Sequence, residues 1–143
     1  MAIQRPATRS HRVSLYHDAV ALVESEFASD VSLDDIARRV ACSRRQLQRS
    51  YAEVGGTTFR EHLARIRMRQ AAVLLLTCSL TVREIAHRVG YRQPAQFAKA
   101  FRRHLGEAPS DYRDGHARAL TAAAPAGGGP GADRRAREDR RAA

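Results

Sequence analysis

Two short stretches of the chain concentrate arginine, glutamine and lysine at spacings that bring them to one face of a helix. The first holds Arg44, Arg45, Gln48 and Arg49, and the second holds Arg92, Gln93, Gln96 and Lys99. Arginine pairs with O6 and N7 of guanine and glutamine with N6 and N7 of adenine, and each good bidentate contact contributes about 1–3 kcal/mol of discrimination. The chemistry predicted for both stretches is therefore the reading of DNA bases in the major groove.

Further arginines flank these stretches and are placed for contacts to backbone phosphates. They are Arg39, Arg60, Arg88, Arg102 and Arg103. Phosphate contacts fix the register of a protein on the duplex but carry no sequence information. The net charge of +10 and the pI near 11.1 also indicate a polyanionic partner, although a GC-rich genome encodes an arginine-rich composition as well.

Both polar stretches follow the same sequence phrase. Residues 35–40 read Asp-Ile-Ala-Arg-Arg-Val, and residues 84–89 read Glu-Ile-Ala-His-Arg-Val. The copies are 49 residues apart within this phrase and 50 residues apart beyond it, so the second copy has one extra residue in its turn. A helix-turn-helix unit requires a small residue in its first helix, a turn and buried apolar residues. The repeat predicts two such motifs, with a recognition helix at each polar stretch.

The turns of the two copies differ in sequence. Gly90 is expected to take a left-handed backbone conformation in the second motif, whereas Ala41 stands at the same place in the first. A non-glycine residue in that conformation costs on the order of 1 kcal/mol. We therefore expect the first turn to use a different geometry.

The fold class predicted is all-α, a seven-helix bundle in which a long linker helix joins the two helix-turn-helix motifs. Apolar residues recur at helical spacing from Thr58 to about Thr77, which predicts the linker. Residues 1–13 are expected to form a mobile N-terminus, residues 14–114 the DNA-binding domain, and residues 115–143 a disordered Ala/Gly/Arg-rich tail.

The sequence lacks the residue patterns that other functions would require. The histidines are scattered and no nucleophile pattern or Gly-rich phosphate loop is present, so the prediction is no enzyme, no cofactor and no metal. Cys42 could sense oxidants if nearby arginines lowered its pKa, but simple packing is the favoured interpretation. The absence of a signal sequence or a long apolar stretch predicts a cytoplasmic chain without membrane contact.

The segment from about residue 33 to residue 113 resembles the C-terminal DNA-binding domain of the AraC/XylS family of bacterial transcription regulators. The matching residues include Ser43, Leu47, Arg49, Gly56, Leu63, Arg67, Ala71, Leu74, Leu75, Ile85, Ala86, Gly90, Tyr91, Phe97, Phe101, Gly106, Pro109, Ser110, Tyr112 and Arg113. The resemblance implies seven helices, base contacts from both recognition helices, and contact with RNA polymerase during activation. Most family members carry a separate sensor domain, so this chain is similar to the short stand-alone members or to an excised fragment.

The sequence departs from the family pattern at three notable positions. Tyr51 replaces the usual phenylalanine, His62 stands where tyrosine is common, and Ala98 stands where a small hydroxyl residue is frequent. Pro94 and Ala95 offer little hydrogen bonding, so the first motif is expected to dominate specificity.

The function predicted is a sequence-specific transcription regulator that reads two adjacent major grooves, with one monomer sufficient for binding. A nonspecific architectural DNA-binding protein is the alternative, because it also explains the charge. It does not explain glutamines beside arginines on two ordered helices. Two further classes of protein also contain helix-turn-helix folds, namely the DNA-binding module of a recombinase and a helical bundle that binds other proteins. The sequence holds no catalytic partner for a recombinase module.

Overall fold

The structure of the protein, a computed structural model, describes residues 6–124. Over this range the chain forms seven α-helices, with one π-helical turn directly after the third. They are α1 (Pro6–Glu26), α2 (Leu33–Arg39), α3 (Arg44–Ser50), the π turn (Tyr51–Gly55), α4 (Phe59–Thr77), α5 (Val82–Arg88), α6 (Pro94–Leu105) and α7 (Pro109–Ala123). The pairs α2–α3 and α5–α6 are the two helix-turn-helix motifs, and α4 joins them, so the predicted fold class is confirmed.

Hydroxyl side chains begin four of these helices. Ser32, Ser43, Thr58 and Thr81 each accept a hydrogen bond from the backbone N–H three residues later. At Ser43 and Thr81 the bond is reciprocal, because the side chain of the third helical residue accepts from the cap N–H. A capping hydroxyl contributes about 1 kcal/mol and fixes where a helix starts. The recognition helix α3 is therefore held at its first residue, Arg44, by local chemistry.

Each motif has its own hydrophobic cluster, and α4 belongs to both. The first cluster comprises Ala19, Val23, Ile36, Ala37, Leu47, Tyr51, Leu63 and Ile66. The second comprises Met68, Ala71, Leu75, Ile85, Ala86, Val89, Phe97 and Phe101. Phe27 packs against both clusters. The N-terminal half of α4 therefore packs against the first helix-turn-helix motif, and its C-terminal half packs against the second.

Arg67 of α4 lies at the joint between the motifs. Its Nε donates to the carbonyl of Phe27 at 2.8 Å, and its Nη2 donates to the carbonyl of Ser29 at 3.0 Å. The same guanidinium lies over the ring of Tyr91, 5.5 Å from its centre. Arg67 therefore ties the segment entering the first motif to the turn of the second. The sequence favours a salt bridge or a helix-cap contact over a DNA contact for Arg67, and the carbonyls that it binds lie just beyond the end of α1.

Both ends of the domain extend further than the sequence boundaries suggested. Helix α1 begins at Pro6, within the segment expected to be mobile, and α7 continues to Ala123, beyond the expected boundary at residue 115. Proline suits the first turn of a helix, and α1 is held by an ion pair between Arg12 and Glu53 of the π turn. The end of α7 is rich in alanine, the strongest helix former. The predictions for residues 1–5 and 125–143 lie outside the described residues.

Candidate nucleic-acid interface

The two helix-turn-helix turns share the geometry of their left-handed residue, contrary to the prediction from their sequences, although the second turn is one residue longer. Ala41 has φ 55° and Gly90 has φ 96°, so both residues are left-handed. The N–H of Cys42 donates to Ala37 and the N–H of Tyr91 donates to Ala86, each at 2.9 Å. A φ near 55° lies in the small left-handed region that L-residues can enter. The packing of the motif imposes this conformation on Ala41 despite its local cost.

Recognition helix α3 turns its polar side chains outward because Leu47 and Ser50 are fully buried beneath it. The four residues predicted to contact bases from this helix are all exposed; they are Arg44, Arg45, Gln48 and Arg49. They divide between the two sides of the helix. Arg44 and Gln48 line one cleft, and Arg45 and Arg49 line the other.

The first of these clefts lies between α3 and the start of α4 and has a volume of about 430 Å³. Its walls include Leu33, Tyr51, Phe59 and Arg60. Arg60 is one of the predicted phosphate-contacting residues, and it is exposed. The structure therefore places Arg60 beside the recognition helix, in the same cleft as Arg44 and Gln48.

Helix α6 presents the second polar face. Phe97 and Phe101 are fully buried, and this orients the helix. The exposed predicted residues of this region are Arg92, Gln93, Gln96, Lys99, Arg102 and Arg103. Gln93 is the N-cap residue but its side chain makes no capping bond, and Pro94 occupies the first helical turn. Lys99 lies 50 residues after Arg49, so the two motifs place a cation at matching positions.

Several predicted DNA-contacting arginines form ion pairs with nearby carboxylates. Arg44 pairs with Asp34 at 3.2 Å, Arg92 with Asp30 at 3.1 Å, Arg103 with Glu61 at 3.4 Å, and Arg39 with Glu26. Exposed pairs of this kind contribute about 0–1 kcal/mol, so a DNA phosphate can replace the carboxylate at little cost.

The pair formed by Arg39 and Glu26 connects α2 to the end of α1. Hydrogen bonding to the Arg39 guanidinium lowers the pKa of Glu26, and the same bond raises the pKa of Arg39. Arg39 therefore has a structural contact in the free protein in addition to its predicted role with phosphate.

The other predicted side chains make no hydrogen bond or ion pair with the described part of the chain. They are Arg45, Gln48, Arg49, Arg60, Arg88, Gln93, Gln96, Lys99 and Arg102. Most of the polar surface of the two recognition helices is therefore free to bind a ligand. Donors and positive charge dominate this surface, which suits an anionic partner with acceptor groups.

The sequence did not identify the wall of the second cleft beside α3. This cleft has a volume of about 200 Å³, and Thr8, His11 and Arg12 from the first turns of α1 face Arg45 and Arg49 across it. These α1 residues fall in the segment expected to be mobile. The signal available in the sequence was Pro6, which is favourable at the start of a helix.

Two departures from the family pattern are partners in the structure. The Tyr51 hydroxyl and Nδ1 of His62 share a buried hydrogen bond of 2.9 Å. Burial raises the pKa of Tyr51 and lowers the pKa of His62, which favours the neutral form of both groups at neutral pH. Tyr51 also contacts the rings of Tyr16 and Phe59 edge-on. The pair anchors the C-terminal end of α3 to α4.

The structure offers little for the other chemistries considered. Cys42 is half-buried, and the loss of solvent raises its pKa, which opposes formation of a reactive thiolate. Within residues 6–124, no three His, Cys, Asp or Glu side chains are grouped closely enough to hold a metal ion. None of the helices in that range has the length and apolarity needed to span a membrane.

Comparison with known proteins identifies this architecture. A helix-turn-helix domain family matches residues 36–115. An AraC-type transcriptional regulator structure from Chromobacterium violaceum is 30% identical, with 73% of this chain and 93% of that chain covered and a TM-score of 0.69. The DNA-binding domain of AdpA, solved in complex with a target DNA, is also 30% identical, with coverage of 76% and 96% and a TM-score of 0.70.

The curated relatives extend the comparison to complete regulators. The transcriptional activator RhaS of Escherichia coli is 33% identical over 96 residues, which are 67% of this chain and 34% of that protein. The chain spans about a third of the length of the first curated relatives it matches. From the domain match over more than half of its length and from these relatives, the chain belongs to the AraC/XylS family of bacterial transcription regulators, which are DNA-binding proteins and not enzymes.

Proposed function

We propose that this chain binds a specific, asymmetric DNA site as a monomer, with α3 and α6 in two adjacent major grooves, and activates transcription. The observation that carries the proposal is the geometric repeat. Both motifs begin their turn with a left-handed residue and the same backbone hydrogen bond, and each presents an exposed recognition helix with unpaired cationic and amide side chains. A nonspecific binder would need the charge but not this repeated arrangement.

The length of the linker helix α4 supports the proposed spacing of the recognition helices α3 and α6. Helix α4 has 19 residues and therefore extends about 28 Å. Successive major grooves on one face of DNA are about 34 Å apart. Each half of α4 packs against one motif, so a rigid α4 fixes the distance between the recognition helices.

The proposed roles follow from the exposed faces. In α3 we assign base contacts to Arg45, Gln48 and Arg49, with Arg44 joining them after its ion pair opens. In α6 we assign base contacts to Gln93, Gln96 and Lys99, with Arg92 at the preceding turn. The phosphate contacts are assigned to Arg39, Arg60, Arg88, Arg102 and Arg103.

Selection from a randomised duplex library at physiological salt tests the proposal. The expected result is enrichment of an asymmetric site with two conserved blocks about one helical turn apart. Equal affinity for the selected and a scrambled duplex across a salt titration would refute it, and would leave the nonspecific architectural alternative.

Two variants then assign the blocks. Arg49→Ala is expected to relax the base preference in one block, and Lys99→Ala in the other, each with about 1–3 kcal/mol lost against the preferred bases. Arg69→Ala is the matched control, because Arg69 is exposed on α4 and has no assigned DNA contact. It removes the same charge and is expected to leave both blocks intact. Relaxation of the same block by both test variants would contradict the two-groove arrangement.

Activation by contact with RNA polymerase is the second part of the proposal. Its support is that RhaS, a relative at 33% identity, is named a transcriptional activator. Transcription in vitro from a promoter carrying the selected site, with purified RNA polymerase, is expected to increase when the chain is added. A decrease or no change at saturating DNA occupancy would refute activation but not DNA binding.

A further inference from the structure

The cleft between the first turns of α1 and recognition helix α3 is a second surface beside the predicted base-reading face. Thr8, His11 and Arg12 form its α1 wall, and Arg45 and Arg49 form its α3 wall. Arg12 is engaged by Glu53, but Arg45 and Arg49 make no ion pair with described residues. The described residues that line the cleft include no carboxylate. As far as the described residues 6–124 show, the cleft is therefore open and basic, and no carboxylate lines it.

The fold holds the α1 wall firmly in place. Leu15 is buried, and Ala19 and Val23 belong to the core cluster of the first motif. The ion pair between Arg12 and Glu53 fastens the same end of α1 to the π turn after α3. The side chains of Thr8 and His11 are exposed on this fixed wall. They are thus presented at a set position relative to α3.

The arrangement of α3 gives this wall a place on DNA. The base-facing residues of α3 lie between two clefts, one bordered by Arg60 of α4 and the other by Thr8 and His11 of α1. A helix inserted in a major groove has a phosphate backbone on each side of it. Arg60 serves the strand on one side. The side bordered by α1 faces the other strand.

We propose that the first turns of α1 bind the phosphate backbone of the operator, with Thr8 and His11 donating to a phosphate that borders the bases read by Arg45 and Arg49. This proposal rests on the proposed function, since it requires α3 to lie in the major groove. It extends the DNA interface beyond the two helix-turn-helix motifs and α4 to include α1. In the proposed complex, the α1 wall contacts the DNA strand opposite the one that Arg60 contacts.

A pair of variants on α1 tests the proposal in the full chain. His11→Glu places a carboxylate in the cleft, while His17→Glu makes the same change at an exposed histidine on the same helix that does not line the cleft. Affinity for the selected duplex is measured by fluorescence anisotropy between 50 and 300 mM salt. His11→Glu is expected to weaken binding about tenfold, because the new carboxylate repels the phosphate, and to lower the salt slope by at most about 0.9, because the added negative charge offsets one cationic phosphate contact. His17→Glu is expected to stay within about twofold of wild type.

Duplexes with single neutral methylphosphonate linkages locate the contact. At one linkage beside the block assigned to α3, wild type is expected to lose about tenfold in affinity and His11→Glu to lose nothing further, because the two changes remove the same interaction. Equal behaviour of the two histidine variants overturns the proposal. The proposal is also overturned if the affinity losses from His11→Glu and from the methylphosphonate add at every linkage, because that result indicates general repulsion between the new carboxylate and the DNA. Thr8→Glu repeats the test if the His11 variant fails to fold.

The same data separate this proposal from the proposed function. If wild type prefers the selected site but both histidine variants bind alike, only the α1 contact fails. If wild type shows no preference for the selected site, the proposed function fails and this inference falls with it.

Discussion

Replacing Arg67 by methionine removes the guanidinium at the joint between the motifs and keeps a long aliphatic side chain. The loss is two hydrogen bonds to the carbonyls of Phe27 and Ser29, at 2.8 and 3.0 Å, and the cation–π contact with Tyr91. A hydrogen bond from a charged donor is worth about 1.5–3 kcal/mol, and a partly exposed cation–π contact about 0.5–1 kcal/mol.

These terms are not additive, and the guanidinium also loses solvation when folded, because burial lowers the pKa of Arg67. We therefore expect Arg67→Met to reduce the free energy of unfolding by about 2–4 kcal/mol. Arg67→Lys retains the charge but cannot span both carbonyls, so its loss should be intermediate.

Urea unfolding followed by circular dichroism measures this loss. DNA binding measures the second consequence, because Arg67 fixes the orientation of one motif relative to the other. Wild type should discriminate strongly against sites with one base pair inserted between the two blocks, and Arg67→Met should discriminate less. A variant that unfolds within about 0.5 kcal/mol of wild type and keeps the full spacing preference would refute the role assigned to Arg67.

The remaining predictions concern the buried pair and the two turns. Tyr51→Phe leaves Nδ1 of His62 buried without its partner and should cost about 1–3 kcal/mol in urea unfolding; a loss below about 0.5 kcal/mol would show that the bond is not formed. Because burial lowers the pKa of His62, the unfolded chain binds the proton better, so stability is fully present above about pH 6.5 and falls as the pH drops below it. His62→Phe should flatten the decline below about pH 6.5, and an unchanged slope would assign that titration to another group. Gly90→Ala should reduce the free energy of unfolding by at least about 2 kcal/mol, because φ is 96° and a Cβ would lie 2.9–3.0 Å from the Arg67 guanidinium. Ala41→Gly, its counterpart in the first turn, should change stability by less than about 1 kcal/mol, since relief of strain offsets the greater freedom of the unfolded chain. Equal losses of stability for the two variants would contradict this account of the turns.

Local chemistry explains why much of the fold could be predicted. The caps at Ser43 and Thr81 depend only on residues three positions away, and the repeated phrase around Ile36 and Ile85 marks equivalent buried positions. The exposure of the polar faces of α3 and α6 follows from the same helical period. These features require no knowledge of distant contacts.

The features that were missed depend on tertiary contacts. Ala41 is left-handed because the packed motif offsets a local cost that the sequence alone shows. The partnership of Tyr51 and His62 joins residues that a family pattern treats as separate departures. Helix α1 starts early because its first turns are held by α3 and the π turn, through contacts such as Arg12 with Glu53. No periodicity in residues 6–12 reports those contacts.

The division of the core along α4 also bears on how the domain opens. We expect two clusters that share one helix to behave as two cooperative units, each able to loosen while the other stays packed. Hydrogen exchange should then show two groups of slow amides, one around Ile36 and Leu47 and one around Ile85 and Phe97. A DNA site with both blocks intact would hold both units closed. A site with one damaged block would protect only half of the domain. The bound chain would therefore resist proteolysis less on a damaged operator than on an intact one.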